Sequence, residues 1–257
     1  GGETGVGFIG LDEEGQKFWE WIRLGTGAWF IATSSSDVYF LFGSHGAPFA
    51  NTLGKVDPDT GEQRNFAGDK AELHFDTAAF GLAHREGPVA VSFPRDGKVR
   101  VLSGEGGEVR REVAADAPGP LAFAPDGTLV GVAGLGAGDL GPPPTWHGSA
   151  IFVAAPDATA AQTVALADVA APSAVAVDAA GRVYVADYAS HSVRVFASAA
   201  ALGSPVTTLG TPGGHRPGPW DPQRMMYPNA LAIEERADAA PRLWVTEASM
   251  GLKRVSV

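Results

Sequence analysis

The sequence predicts an all-β fold, a six-bladed β-propeller with incomplete first and last blades, on three observations. A unit of apolar strand, Gly-containing turn, second strand and third strand recurs along the chain. A unit of roughly 40–55 residues built this way cannot bury both of its faces alone, so neighbours must stack and close into a ring. Composition agrees: 34 Gly and 19 Pro suit a chain that turns every few residues, and 45% apolar content in 257 residues supplies a core.

In chain order, GVGFIGLDEEGQKFWEW (Gly5 to Trp21) has the form of a third and fourth strand joined by an Asp-Glu-Glu-Gly turn, giving the outer strands of a partial blade over 6–21. Full blades are expected over 28–66, 78–113, 119–165 and 174–210. The first of these has Thr33-Ser34-Ser35-Ser36-Asp37 in place of a Gly turn, and its Asp57-Pro58-Asp59-Thr60-Gly61 segment joins a third strand to a fourth. The others open on AAFGLAHREGPVAVSFPRDGKVRVLS from Ala78, GPLAFAPDGTLVGVAG from Gly119 and PSAVAVDAAGRVYVADYASHSVRVF from Pro172. A last unit, 229–257, stops after its third strand. The amino-terminal hairpin could complete that unit in a five-bladed ring. Six positions are preferred, because the hairpin and the last unit each already hold a third strand. The whole, 1–257, is expected to be a single propeller domain. With no initiator Met or signal-peptide pattern before it, the expectation is an excerpt of a longer protein.

Composition narrows the function. The formal net charge of −10 opposes binding to nucleic acid, whose affinity comes largely from Lys and Arg on phosphates. No apolar run approaches the roughly 18 residues of a membrane helix, so direct membrane insertion is not expected. The absence of cysteine removes disulfides, thiolate nucleophiles and Cys-ligated metal sites. No Ser-His-Asp context, phosphate-cradling loop or dinucleotide fingerprint is present, and the triple proline in GLGAGDLGPPPTWHG rules that Gly-rich loop out as a P-loop.

The Pro172 unit, with Ala176-Val177-Asp178-Ala179-Ala180-Gly181-Arg182-Val183-Tyr184-Val185-Ala186-Asp187 and then Ser192-Val193-Arg194-Val195-Phe196, closely resembles the NHL repeat. The Asn229 unit, with Pro228-Asn229-Ala230-Leu231-Ala232-Ile233, Leu243-Trp244-Val245-Thr246-Glu247 and Lys253 to Val257, is similar to one as well. The resemblance covers the last third of the chain well and the rest loosely. It implies a six-bladed propeller and, as usual roles, recognition of protein, RNA or glycan; the acidic balance weakens the RNA branch. The same architecture carries binding proteins, lyases and metal-dependent lactonases, so it does not fix an activity.

Topology indicates where a site would lie. Loops between second and third strands, and links between blades, emerge on one face around the channel. The long connections Ser44 to Ala50, Gly134 to Gly148 and Thr211 to Tyr227 all belong to that face, and loops of this length tend to be functional. His45, His74, His147, His191 and His215 map there, whereas His84 falls at the opposite end of a first strand. His147, His191 and His215 are candidate ligands for a divalent cation, Ca or Zn, with Asp187, Asp221 or Glu247 as partners. No cofactor is otherwise expected, and isolated loop histidines are the default. Trp146 and Trp220 offer stacking faces, and Arg216, Asp221 and Arg224 offer polar contacts of the kind that hold sugars or peptide ends. Alternatively Trp220, Met225, Met226 and Tyr227 plug the groove between blades. Asn229 opens an inner strand as in metal-binding lactonases and strictosidine synthase-like propellers, which the resemblance implies as a cation-holding role; a turn cap is the structural alternative.

Other residues are assigned to structure. Asp12, Asp57, Asp126 and Asp178 stand beside turns where a short carboxylate accepts backbone N–H groups. Phe18, Trp19, Trp21, Trp29, Phe30, Tyr39, Phe40, Phe42, Tyr184 and Trp244 are expected to pack blades together. The expected function is therefore a non-catalytic, secreted, periplasmic or cell-surface recognition or scaffold module for a protein, peptide or glycan. The alternatives are a metal-dependent hydrolase, lactonase or lyase at the channel mouth, and a structural subunit that self-assembles through edge strands.

Overall fold

In the computed structural model the described residues are 6–11, 17–22, 28–33, 37–42, 51–57, 60, 62–66, 72–136, 147–210, 225–236, 240–247 and 251–256. Their strands form six antiparallel sheets in sequence order. A hairpin of β1 (Val6–Leu11) and β2 (Lys17–Ile22) stands first. The second sheet runs β3 (Ala28–Thr33), β4 (Val38–Phe42) and β5 (Thr52–Val56), and the outer edge of β5 is shared by β6 (Gln63–Arg64) and β7 (Glu72–His74). Three four-stranded sheets follow. They are β8 (Gly81–His84) to β11 (Val109–Ala114) through β9 (Pro88–Phe93) and β10 (Lys98–Ser103); β12 (Leu121–Phe123) to β15 (Gln162–Val164) through β13 (Leu129–Ala133) and β14 (Ala150–Ala154); and β16 (Pro172–Val177) to β19 (Thr207–Leu209) through β17 (Val183–Asp187) and β18 (Ser192–Phe196). The sixth holds β20 (Pro228–Glu234), β21 (Arg242–Glu247) and β22 (Gly251–Ser256).

Strand alternation explains the stacking. Successive side chains point to opposite faces of a sheet, and in the middle sheets both faces are apolar. Val183 and Val185 enter a cluster with Val130, Val132 and Ile151 of the preceding sheet, while Tyr184 and Ala186, alternating with them, join Met225 and, from the next sheet, Leu243 and Val245. Likewise Val89, Val91 and Phe93 pack on Tyr39, Leu41 and Leu53, and Ala90 turns the other way toward Leu129 and Phe152. Each inner strand from β3 through β8, β12 and β16 to β20 contacts the next. Tyr39, Phe40 and Tyr184 are buried, Trp244 is half-buried with its indole N–H on Glu234 Oε2 at 2.9 Å, and the other expected packing aromatics have side chains outside the description.

Turn carboxylates act as the sequence suggests. Asp57 Oδ1 accepts the Thr60 N–H at 3.0 Å, Asp126 Oδ1 that of Thr128 at 2.9 Å, and Asp178 Oδ1 that of Arg182 at 2.8 Å; Asp12 lies outside the described residues. Gly181 closes the Asp178 turn at φ +84°, a conformation open to glycine. Asp178 is buried and also takes the Arg182 Nε–H at 2.6 Å and the Tyr184 hydroxyl at 3.0 Å. Adjacent sheets are tied by polar links too: the Tyr39 hydroxyl donates to the Gly104 carbonyl at 3.1 Å and the buried Lys55 amine reaches the same oxygen at 3.2 Å.

Antiparallel order sends the first-to-second and third-to-fourth turns of every sheet to one face, the turn face. Second-to-third loops and links between sheets go to the other, the loop face. Three inner strands break register at their loop-face end, between Ala28 and Phe30, Pro172 and Ala174, and Pro228 and Ala230. A bulge re-aims a side chain, and here it sets Ser173 and Asn229 at equivalent places.

Candidate functional site

Four rings meet on the loop face, brought by three different connections. His147 precedes β14, Tyr188 and His191 lie in the β17–β18 turn, and Tyr227 immediately precedes β20. His147 and Tyr188 stack with centroids 5.9 Å apart and planes at 28°, Tyr188 and Tyr227 lie 4.8 Å apart at 36°, and Tyr227 meets His191 edge-on at 4.4 Å and 67°. His147, Tyr188 and Tyr227 are half-buried, while His191 is buried.

Each ring is fixed by its backbone. The Gly148 N–H donates to the Pro172 carbonyl at 2.7 Å, holding the His147 loop against the start of β16; a Cβ at Gly148 would sit 2.1 Å from the Ala133 carbonyl oxygen, so only glycine allows this approach. The Tyr188 N–H donates to Ala171 O at 2.9 Å. His191 and Tyr227 both adopt left-handed backbone, φ +57° and +50°. For non-glycine residues that conformation is uncommon and persists where surrounding contacts enforce it. One such contact is the Tyr227 N–H donating to His191 Nδ1 at 3.0 Å. Because Nδ1 accepts, a neutral His191 carries its proton on Nε2 and offers a donor rather than a metal-binding lone pair.

The acidic neighbours serve the backbone. Asp187, buried at the end of β17, accepts the N–H groups of Ala170 at 3.2 Å and Ala171 at 3.0 Å, ahead of Pro172. Glu247, at the same place in β21, accepts the Met226 N–H at 2.8 Å ahead of Pro228. Asn229 Oδ1 accepts the Thr246 hydroxyl at 2.6 Å, and Ser173 donates to the Pro228 carbonyl at 2.6 Å, joining the two inner strands at their bulges. Among the described residues no group of three or more His, Asp or Glu has a metal-holding arrangement.

Of the candidates named from sequence, His147 and His191 are brought to one site and Asn229 lies at the mouth of the same strand layer. Trp146, His215, Arg216, Trp220, Asp221 and Arg224, with His45, lie outside the described residues. His74 is placed in β7 instead of a loop: its Nδ1 is 3.0 Å from the Thr52 hydroxyl and its Nε2 is 3.7 Å from Glu72. This hydroxyl, imidazole and carboxylate stand in the order of a nucleophilic triad, but Thr52 is buried and its hydroxyl also lies 3.2 Å from Asn51 Oδ1, to which it donates. His84 stacks on Tyr39 at 4.7 Å. The plugging role expected of Met225 holds, since it is fully buried between sheets, whereas Tyr227 two residues on turns to the ring row. Sequence reasoning missed Tyr188 and Ser173. Tyr188 follows the Asp that ends the second strand, a position on the loop face that the repeat pattern alone would have located.

Comparison with known proteins places the architecture. Residues 170–196 match the NHL repeat family. A chain in the crystal structure of a nidogen/laminin complex superposes with a TM-score of 0.67 at 13% identity, over 99% of this chain and 86% of that one. Virginiamycin B lyase from Staphylococcus aureus gives 0.63 at 14% identity, over 99% and 75%, and a streptogramin B lyase gives 0.59 at 14% identity, over 97% and 72%. The fold is a β-propeller. No curated protein matches the sequence significantly. In this propeller the ring row spans the loop-face ends of the fourth, fifth and sixth sheets, the fifth holding the matched NHL repeat. Three half-buried rings with N–H and O–H groups at their edges can stack on a flat or apolar group and hydrogen-bond around it.

Proposed function

We propose that this propeller is a recognition module whose loop face binds a protein partner, with His147, Tyr188 and Tyr227 as the contact centre and His191 as their support. The observation that carries this reading is the ring row itself, held by two left-handed non-glycine residues. Backbone strain kept at a partly exposed aromatic cluster is characteristic of binding sites, and Tyr is enriched among the residues that dominate interface energy. The neighbour solved in a nidogen/laminin complex adds support for a protein partner.

The test is selection of displayed peptides on the purified chain, followed by affinity measurements with Tyr188→Ala. A central interface tyrosine contributes about 2 kcal/mol or more, so selected peptides should bind Tyr188→Ala roughly 30-fold more weakly, and equally well with and without a chelator. Peptides indifferent to Tyr188 would move the contact centre elsewhere. The lyase neighbours supply the competing outcome: one divalent ion per chain, lost in His147→Ala, would replace recognition by metal-assisted chemistry.

A further inference from the structure

On the opposite, turn face, a cleft of about 760 Å³ separates the β12–β15 sheet from the β16–β19 sheet. One wall is the turn 124–128 with Ala155 and Gln162, the other the turns 179–181 and 198–203; Val153, Val164 and Leu202 line it with apolar side chains. The two walls approach each other at Pro125 and Gly181, where a Cβ on Gly181 would stand 3.9 Å from the Pro125 Cδ.

The cleft is open because each wall is fastened to its other neighbour. Arg85 donates to the Ala124 carbonyl, and Arg111 to the carbonyls of Ala155 at 2.7 Å, of Pro156, and of Ala158 at 3.3 Å. The strand-like segment 159–161 pairs with β11, the Ala114 N–H on Thr159 O at 2.8 Å and the Ala161 N–H on Ala114 O at 2.7 Å. All of these pull the first wall toward the third sheet. The second wall is held to the sixth sheet, where Glu235 Oε1 accepts the Ala179 N–H at 2.6 Å. Among the described residues no hydrogen bond joins one wall to the other. The space is therefore preformed, and its volume falls in the range of small-molecule sites, roughly 300–1,000 Å³.

Its chemistry selects a class of ligand. The lining holds one charged group, Asp126, and no Lys or Arg. Hydrogen bonds from the Thr128 N–H and hydroxyl hold that carboxyl below the usual range, with Arg85 adding in the same direction, so it is anionic at neutral pH. Gln162 and Ser198 add neutral polar groups beside the apolar floor. We infer that this cleft is a second ligand site, separate from the loop-face site, for a small amphipathic cation: an aromatic or alkyl body on Val153, Val164 and Leu202 with a protonated amine at Asp126.

The experiment compares 2-naphthylmethylamine with 2-naphthylacetate, the same ring with opposite charge, by calorimetric titration of the full 257-residue chain. The amine is expected to bind at one site, and the acetate at least about tenfold more weakly. Gly203→Phe, at a lining position where an added Cβ meets nothing within 4 Å, should abolish binding with the melting temperature unchanged; Ala200→Trp, on the exposed rim, repeats the blockade independently. Asp126→Asn should weaken the amine alone by about tenfold, and Tyr188→Ala should leave it untouched, which separates this site from the loop face. Equal binding of the two probes, no binding of the amine, or binding that survives both blocking variants overturns the inference.

Discussion

Tyr39 illustrates how a single buried side chain couples two sheets to solution conditions. The residue is 2% exposed, and its hydroxyl donates to the Gly104 carbonyl across the sheet interface. Burial, reinforced by Asp37 and Glu105, pushes the phenol from 10.0 to about 12. A group whose folded pKa is raised contributes stability below its unfolded value and loses it as pH rises through the folded one. The Tyr39 contribution should thus be intact below about pH 10 and gone near pH 12. Lys55 beside it is lowered by burial and has the opposite sign, so the informative quantity is the difference between wild type and Tyr39→Phe. That gap should be about 1 kcal/mol at neutral pH and fall through zero to the opposite sign between about pH 10 and 12, since a rise of about two pKa units outweighs it; a gap constant across melting curves taken through that window would contradict this coupling. The sequence marked Tyr39 as a packing aromatic, and that was legible from its place in an apolar strand. Its partner, a carbonyl 65 residues away, was not, because backbone acceptors leave no trace in side-chain patterns. The same asymmetry runs through the loop-face site: loop topology put His147 and His191 on that face, while Tyr188 is marked only by its ring contacts with His147 and Tyr227.

At the level of strands, turn chemistry was the legible part. Asp178-Ala179-Ala180-Gly181 and Asp126-Gly127 announce their hairpins because a short carboxylate and a left-handed glycine together reverse the chain. What could not be read were elements defined only by their partners: β7, three residues completing the edge of β5, and the 159–161 segment that pairs with another sheet inside an Ala-rich stretch of no clear period. Glycines inside strands belong with these. Gly131 pairs with Phe152, and a Cβ there would lie 2.3 Å from the ring. Gly131→Ala should destabilise by about 2 kcal/mol through overpacking, and much less in a Phe152→Leu background. Urea denaturation of the four proteins in that cycle measures the coupling; additive effects would mean the strain lies elsewhere.

For the molecule as a whole, apolar faces on both sides of each middle sheet make every sheet depend on two neighbours, which is why alternation in one strand could predict a ring. The preference for six positions over five rested on counting strands alone, because hairpin β1–β2 and the last unit carry no signal of what they pair with. Polar links between sheets add to the apolar ones unequally. Arg111, spanning from β11 to three carbonyls of the next sheet, should cost about 1–3 kcal/mol when replaced by Ala, and hydrogen exchange should quicken first at Ala114 and Ala161, whose amide protons bridge the two sheets. Uniform loss of protection would instead mean that the ring opens as one unit. The strap at 159–161 also bears on how such a chain can change over time. It is encoded with the fourth sheet but pairs with the last residue of the third sheet's outer strand, so a segment duplicated or recombined with this contact intact spans a pair of repeats, and a crossover that moved 119–165 alone would strip the Ala114 pairing from its donor neighbour and carry an orphaned strap into its new setting.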